Sequence, residues 1–514
     1  MLETSYFVPL INSVRIAHQI ALHYELIMKF IVKLFPEISI KSKPVRQRFV
    51  KQLRQNINEV LKKEFDKVSV QGYWDKVEVS VKGDLDYAQK VAETLQRIPG
   101  IANILRVQSY AIDDMANNFE QMLSLTHDIF KDQLKGKTFV VRVKRAGKHS
   151  FSSTDLERYI GGGLLQRLET GGVKLKNPDV TIRLEVRDGD LHVIEQRYEG
   201  LGGFPLATVD DVLSLMSGGF DSTVASYLTM KRGLKTHFCF FNLGGSAHEI
   251  GVKQVALYLW EKYGVSHRVK FVTVPFEEVV AELVQKVHHS QRGVVLKRMM
   301  LRAAEEVADS LAIQALVMGD SVAQVSSQTL TNMCVTDSAT KKLVMRPLIT
   351  MDKQDIISLA RKIGTEDFAK NMPEYCGVIS DKPTTCATEE RLVEEESNFD
   401  FSVLERALKA RMTIKIDEVL TRTQTIAEVD LVSVPHVDDV VIDIRHPEEV
   451  AKSDLVLTNN QIIQIPFYEL MSKLDSLEPS KHYLLYCDKG SMSQLHASHL
   501  KSMGFSSVAV YSPN

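Results

Sequence analysis

The sequence predicts a multidomain protein that joins small α+β modules to a doubly wound parallel α/β sheet and a separate C-terminal α/β domain. Three features predict it. The chain has 514 residues, and at about 100–200 residues per domain that length holds three or four cores. Residues 28–107 alternate short strands and helices, whereas residues 205–375 alternate near-continuous apolar strands with helices, the pattern of a parallel sheet covered on both faces. From Val434 a further module of about 80 residues starts with a strand after an acidic stretch.

In order, the first block reads strand 28–34, helix 44–65, strand 76–81, helix 85–97 capped by Asp84 and ended by Pro99-Gly100, and strand 102–107. The second has a helix over 113–133, an alternating strand at 139–143, a glycine break at Gly161-Gly162-Gly163, and strands 180–186 and 191–195 around a turn at Asp188-Gly189-Asp190. In the third, strands at 212–216, 237–242, 269–274, 315–318 and 343–345 are separated by helices at 222–231, 247–263, 277–289, 297–311 and 352–363. EERLVEEE at 389–396 opens an acidic helix and connector, and the last module runs from strand 440–444 to strand 508–511. The expected boundaries are an extension over 1–27, domains over 28–108, 109–200 and 201–396, a linker over 397–433, and a domain over 434–514.

Composition excludes several classes. With 63 Lys+Arg against 65 Asp+Glu, the chain is not a uniformly basic nucleic-acid coat. A 44% hydrophobic content argues against disorder. Five cysteines without a CxxC pair argue against a secreted disulfide scaffold or structural zinc site and favour a reducing cytoplasm. The apolar stretch at 7–34 is interrupted by Asn12, Arg15, His18, Gln19, His23 and Glu25, so it meets neither the membrane-span nor the signal-peptide pattern. Residues 1–27 are read as an extension without a function.

Charge is concentrated locally. Residues 41–54 hold six basic residues and no acid, among them Lys41, Lys43, Arg46 and Arg48. A second cluster includes Lys135, Lys137, Arg142, Lys144, Arg145 and Lys148. Each could be a solvated face or a guarded edge. Two in adjacent modules of a near-neutral chain favour a polyanion groove, where phosphate contacts release counterions.

Ser217-Gly218-Gly219-Phe220-Asp221-Ser222 joins a strand to a helix. The paired glycines let backbone amides turn toward an anion, and the helix start adds further donors. Ser217 and Ser222 supply hydroxyls, and Asp221 is suited to orienting a magnesium ion or the loop itself. No Gly-Lys-Ser/Thr ending follows, which disfavours a Walker-type site. Near the C-terminus, Cys487-Asp488-Lys489-Gly490-Ser491-Met492-Ser493 also lies between strand and helix, where amide donors and a helix dipole stabilise a thiolate or persulfide. A phosphatase loop needs arginine where Ser493 stands, so dephosphorylation is disfavoured.

The SGGFDS loop resembles SGGxDS of the PP-loop ATP pyrophosphatases, which cleave ATP between its α and β phosphates. FNLGG at 241–245, LKRMM at 296–300, QVSSQTLTN at 324–332, RPL at 346–348 and MPEYCGVIS at 372–380 extend the likeness to the tRNA 4-thiouridine synthetase family, from Met28 to the C-terminus. VVIDIRHPEE at 440–449 resembles the opening of a rhodanese domain. The resemblance implies a ferredoxin-like module and a THUMP module gripping tRNA, a PP-loop domain and a rhodanese-like domain. It implies ATP at Leu215, Met216, Ser217, Gly218, Gly219, Ser222, Lys297, Gly319 and Gln328, with Asp221 and Lys353 assisting adenylation; Mg2+ is expected alongside ATP, with no protein ligand assigned to it. It makes Cys487 the persulfide carrier and Cys376 its disulfide partner; without it, Cys376 reads as an incidental thiol.

The expected reaction is 4-thiouridine formation at position eight of tRNA. A cysteine desulfurase supplies sulfur, a relay to a thiazole-pathway sulfur-carrier protein for thiamine is a second role, no membrane is involved, and a homodimer is left open. Two rivals remain: an amide-forming PP-loop ligase, and an RNA-binding sulfur carrier without a working ATP site.

Overall fold

The computed structural model describes residues 27–514 except 188, 244–245, 371, 373–381, 420–428, 446, 452, 468, 471–472, 479, 489, 503 and 514. The chain forms two compact units, the first running to Thr208 and including Lys231–Gly233, the second comprising Val209–Met230 and the chain from Leu234. Among the described residues, no helix is long and apolar enough to cross a membrane. The extension read over 1–27 falls outside them except for Ile27, the first residue of a strand.

In the first unit, strands β1 (Ile27–Leu34), β2 (Val68–Gly72), β3 (Lys76–Lys82), β4 (Ile101–Ala111), β5 (Phe139–Ala146), β6 (Val180–Arg187) and β7 (Asp190–Glu199) form one sheet. Its order is β2-β3-β1-β4-β7-β6-β5. Sequence periodicity missed β2, a short edge strand with no fully buried residue. The antiparallel pairing of β4 with β7 joins the first two predicted blocks into a continuous sheet, with an irregularity between Arg106 and Val107. Helices Lys43–Glu64 and Leu85–Gln96 pack with β2, β3 and β4, while Phe119–Phe130 and Ser153–Arg167 pack with β5 and β7.

The expected glycine break is corrected: Gly161, Gly162 and Gly163 lie inside helix Ser153–Arg167. That helix starts at a reciprocal cap between Ser152 and Asp155. A methyl group at Gly163 would overlap the buried side chain of Leu123 on the neighbouring helix. The glycine therefore serves close helix packing, which outweighs its low helix propensity.

The second unit holds two sheets. Strands β8 (Asp211–Leu215), β9 (Lys235–Asn242), β10 (Lys270–Pro275), β11 (Ala315–Val317), β12 (Leu343–Met345) and β13 (Met412–Lys415) are ordered β12-β11-β8-β9-β10-β13. The first five are parallel, as their apolar runs predict. β13 is antiparallel to β10 and comes from the segment read as linker, so the chain after 396 contributes helix Ser402–Lys409 and an edge strand to this domain. Four residues with only one buried, Ile414, gave no usable period.

The acidic helix Glu389–Ser397 is anchored by Arg298, whose guanidinium meets Glu396 at 2.6 Å and Glu389 at 3.3 Å. Strands β14 (Leu431–Val432), β15 (Val440–Asp443), β16 (Gln461–Gln464), β17 (Tyr483–Tyr486) and β18 (Val508–Tyr511) make the terminal parallel sheet, ordered β14-β18-β17-β15-β16.

Candidate functional site

β8 is the first strand of its sheet, and the chain leaves it toward β9 on one side and returns to β11 on the other. Strand order reverses there, opening a crevice at the carboxyl ends of the strands. Ser217–Gly219 occupy that end of β8, and helix Phe220–Arg232 starts immediately after them. Gly218 has φ +82°, a left-handed conformation that glycine adopts without strain. The amide of Ser217 donates to Ser222 Oγ at 3.2 Å, and the two hydroxyls lie 3.1 Å apart. Leu215 packs against the core beneath, and Met216 is buried with its sulfur 2.9 Å from Ser226 Oγ.

Gly319 follows β11 and faces this turn. A Cβ there would lie 2.6 Å from backbone atoms of Asp221 and Ser222, so only glycine permits the approach. Lys353 starts helix Lys353–Ile363 and places its ammonium 2.9 and 3.1 Å from the two oxygens of Asp221. Gln324 donates to Asp221 Oδ2 at 2.8 Å. The ammonium also stands 5.5 Å from the Phe220 ring centroid.

Lys297 and Gln328 converge on Asp320 at 2.8 and 3.0 Å, and Arg346 reaches its other oxygen at 3.1 Å. Burial pushes the Asp320 carboxyl up, but the Lys297 ammonium, the Arg346 guanidinium and the Gln328 amide outweigh it and hold the group below the usual carboxylate range. Arg346 is fixed in turn by two bonds to Asp337, at 2.7 and 2.6 Å. His248 Nε2 meets the Ser217 carbonyl at 2.9 Å, and burial lowers its basicity.

The structure thus gathers Ser217–Ser222, Gly319 and Lys353 around the turn, and ties Lys297 to Gln328 through Asp320. Asp320, Arg346, Gln324 and His248 escaped the sequence reading as site residues. Arg346 and Gln324 each begin a segment that carried the family likeness, which was their available signal.

The terminal sheet presents the other centre. Cys487 follows β17, is buried, and receives the Ser493 amide at 3.4 Å with the Ser493 hydroxyl also at 3.4 Å. Arg445, after β15, holds the floor of this loop: its guanidinium meets Asp443 at 2.6 Å and Asp488 at 2.9 Å. The Asp443 hydrogen bond leads in keeping Arg445 firmly protonated. Cys239 is a core thiol raised far above the ordinary range by burial, unsuited to sulfur chemistry. Cys376 and Lys489 lie outside the described residues.

Of the basic residues, Lys41, Lys43, Arg48, Lys135, Lys137, Arg142, Lys144 and Lys148 are exposed. Arg145 is half-buried and bonded to Ser153 Oγ and the Phe151 carbonyl. Arg46 is half-buried beside the Trp74 ring.

Comparison with known proteins accounts for each module. The family profile described as thiamine biosynthesis protein (ThiI) matches residues 207–401, and the ThiI ferredoxin-like domain matches 29–104. The THUMP domain matches 116–194 and the rhodanese-like domain 430–512. A PP-loop-like parallel sheet flanked by these modules defines a sulfurtransferase of the RNA-modifying class.

A tRNA sulfurtransferase of Shewanella piezotolerans is 53% identical over 488 residues, covering 95% of this chain and 100% of the relative. One of Marinobacter nauticus is 51% identical over 486 residues, with 95% and 100% coverage. The chain belongs to the tRNA sulfurtransferase family. A solved 4-thiouridine synthetase–RNA complex with bound ATP superposes with TM-score 0.66 at 25% identity, covering 76% of this chain and 100% of that one.

Proposed function

We propose that this enzyme uses ATP to replace O4 of a tRNA uridine, at position eight, with sulfur. The observation that carries the proposal is the Asp221–Lys353 pair at the head of the Ser217–Ser222 turn. A uracil carbonyl oxygen is a poor leaving group. The loop amides and Lys353 would stabilise negative charge as O4 attacks the α-phosphate of ATP and pyrophosphate departs. Lys297, Gly319 and Gln328 complete the nucleotide site, with Asp320 positioning the Lys297 and Gln328 side chains.

The exposed clusters around Lys43 and Lys137 supply phosphate contacts for tRNA. The ATP- and RNA-bound 4-thiouridine synthetase structure supports both ligand classes.

Sulfur transfer completes the cycle. The terminal sulfur of a Cys487 persulfide attacks C4, expels AMP, and leaves the base joined to Cys487 through a disulfide. The Cys376 thiolate then attacks the Cys487 sulfur, freeing thiouridine and closing a Cys376–Cys487 disulfide, which a dithiol reductant opens. A cysteine desulfurase recharges Cys487, and the same persulfide can serve a thiazole-pathway sulfur-carrier protein.

The expected Mg2+ does not fit the carboxylates present. Asp221 is engaged by Lys353 and Gln324, and Asp320 by Lys297, Arg346 and Gln328. No step is therefore assigned to a protein-held metal; Asp221 orients the loop.

Incubating unmodified tRNA with the protein, ATP, cysteine and a cysteine desulfurase, then weighing the nucleosides by mass spectrometry, tests the reading. It predicts 4-thiouridine and stoichiometric pyrophosphate; tRNA that stays unmodified overturns it.

A further inference from the structure

The hairpin between β2 and β3 carries Tyr73, Trp74 and Asp75, none of which belongs to the basic clusters or the two centres above. Trp74 is 62% exposed and Tyr73 42%, unusual for side chains of this size in one short turn. They border a cavity of about 200 Å3 whose wall also includes Lys29, Arg187 and His192. Asp75 accepts from Arg187 at 2.7 Å through Oδ2, while its Oδ1 is buried and has no hydrogen-bond partner among the described residues. A buried carboxylate oxygen left unbonded is costly, and it marks a place for an incoming N–H donor.

The charge of the cavity restricts its occupant. Lys29, Lys76 and Arg187 are balanced by Asp75, Glu78 and Asp190, and the Lys76–Glu78 pair is closed at 2.5 Å. Burial, reinforced by Lys76, pushes His192 down toward the neutral form. A balanced lining gives a bare phosphate little advantage. It suits a flat polar ring that donates through an N–H edge.

The Trp74 ring has the Arg46 guanidinium 5.6 Å and the Arg187 guanidinium 5.8 Å from its centroid. A planar base sliding onto the indole replaces one of these cations and releases it to the adjoining phosphate, the combination by which single-stranded nucleic acid is held. We infer that this cavity takes an unpaired nucleobase of the RNA substrate, stacked on Trp74 and hydrogen-bonded to Asp75. The inference rests on the tRNA-modifying reading and adds to it a contact that recognises an unpaired base, distinct from the phosphate-binding lysines.

The chain has two tryptophans, and Trp260 is buried in the second unit, so Trp74 dominates fluorescence changes at the surface. Titrating the full-length protein with unmodified tRNA should quench emission, and the quench should vanish in Trp74→Phe. Trp74→Ala should weaken tRNA binding roughly tenfold with an unchanged salt slope, because stacking rather than a phosphate contact is lost. Trp74→Phe should restore most of the affinity, and a blunt-ended, fully paired RNA duplex should bind wild type and Trp74→Ala alike.

Wild-type affinity of Trp74→Ala for tRNA, with its thermal transition intact, overturns the inference. So does an equal loss of affinity for the paired duplex. Thiouridine formation by the wild-type enzyme is scored separately: a protein that makes no thiouridine yet shows the Trp74-dependent discrimination fails the proposed function and keeps this site.

Discussion

The ammonium of Lys353 lies 2.9 Å from Asp221 Oδ1, although the two residues are 132 positions apart in the chain. Lys353 opens the helix after β12, and Asp221 lies in the first turn of the helix after β8. Their meeting places a fixed cation at the mouth of the glycine turn, the position that the proposed adenylation asks of it. Replacing Lys353 with Met removes that cation. Pyrophosphate release dependent on tRNA should fall roughly 100- to 1,000-fold while tRNA affinity holds. Unaltered release in a quench-flow assay would show that Lys353 only braces the loop.

Gly319→Ala should act by distance. The added methyl group meets backbone of Asp221 and Ser222 at 2.6 Å, and backbone cannot rotate away as a side-chain tip can. The turn must shift by several tenths of an ångström, and displacements of this order cost about 100-fold in a positioned reaction. The fold should survive, as circular dichroism would report, while kcat for pyrophosphate release drops.

Asp320→Asn leaves Lys297 and Arg346 without their buried counter-charge and should cost about 3 kcal/mol in urea unfolding at pH 7. The sign with pH follows from the depressed carboxyl. Its stabilisation is complete above the unfolded value of about 4 and is lost as pH falls through the lower folded value. The gap between wild type and variant should therefore narrow in acid. A gap that stays constant from pH 7 to pH 3 would contradict the charge assignment.

The terminal module is held to the PP-loop domain at identifiable points. Gln254 Nε2 lies 2.5 Å from His496 Nε2, both buried, and the Phe467 ring sits 4.8 Å from Phe368 and 6.1 Å from His496. Gln254 belongs to the same helix, Ser246–Leu259, that touches the Ser217 carbonyl through His248. Gln254→Ala should weaken this docking by about 1–2 kcal/mol. Hydrogen exchange in helix Ser491–Ser502 should quicken accordingly, with unchanged exchange meaning that the aromatic contacts suffice.

Cys487→Ser should abolish thiolation and leave tRNA binding within about twofold, since in the proposed cycle only the sulfur nucleophile is removed. Persistent thiouridine in the nucleoside digest would assign the persulfide elsewhere.

The strongly periodic parts of this protein were legible without coordinates. The five parallel strands of the central domain, the Ser217–Ser222 turn and the Cys487 loop follow from apolar runs and from glycine or cysteine at strand-to-helix junctions. Weakly patterned pieces were not. β2 and β13 are short and mostly exposed, so their strand character comes from the neighbour they pair with. The glycines at 161–163 read as a break because composition cannot show that Leu123 presses on the same helix.

What the sequence determined by itself was the set of chemical groups and the local turns that display them, because these depend on contacts within a few residues. Only the tertiary structure decided that Lys353 faces Asp221, that Asp320 gathers Lys297, Gln328 and Arg346, and that Trp74 and Asp75 flank one cavity. Those relationships join residues from different elements, and sheet order and side-chain packing fix them where no local preference can.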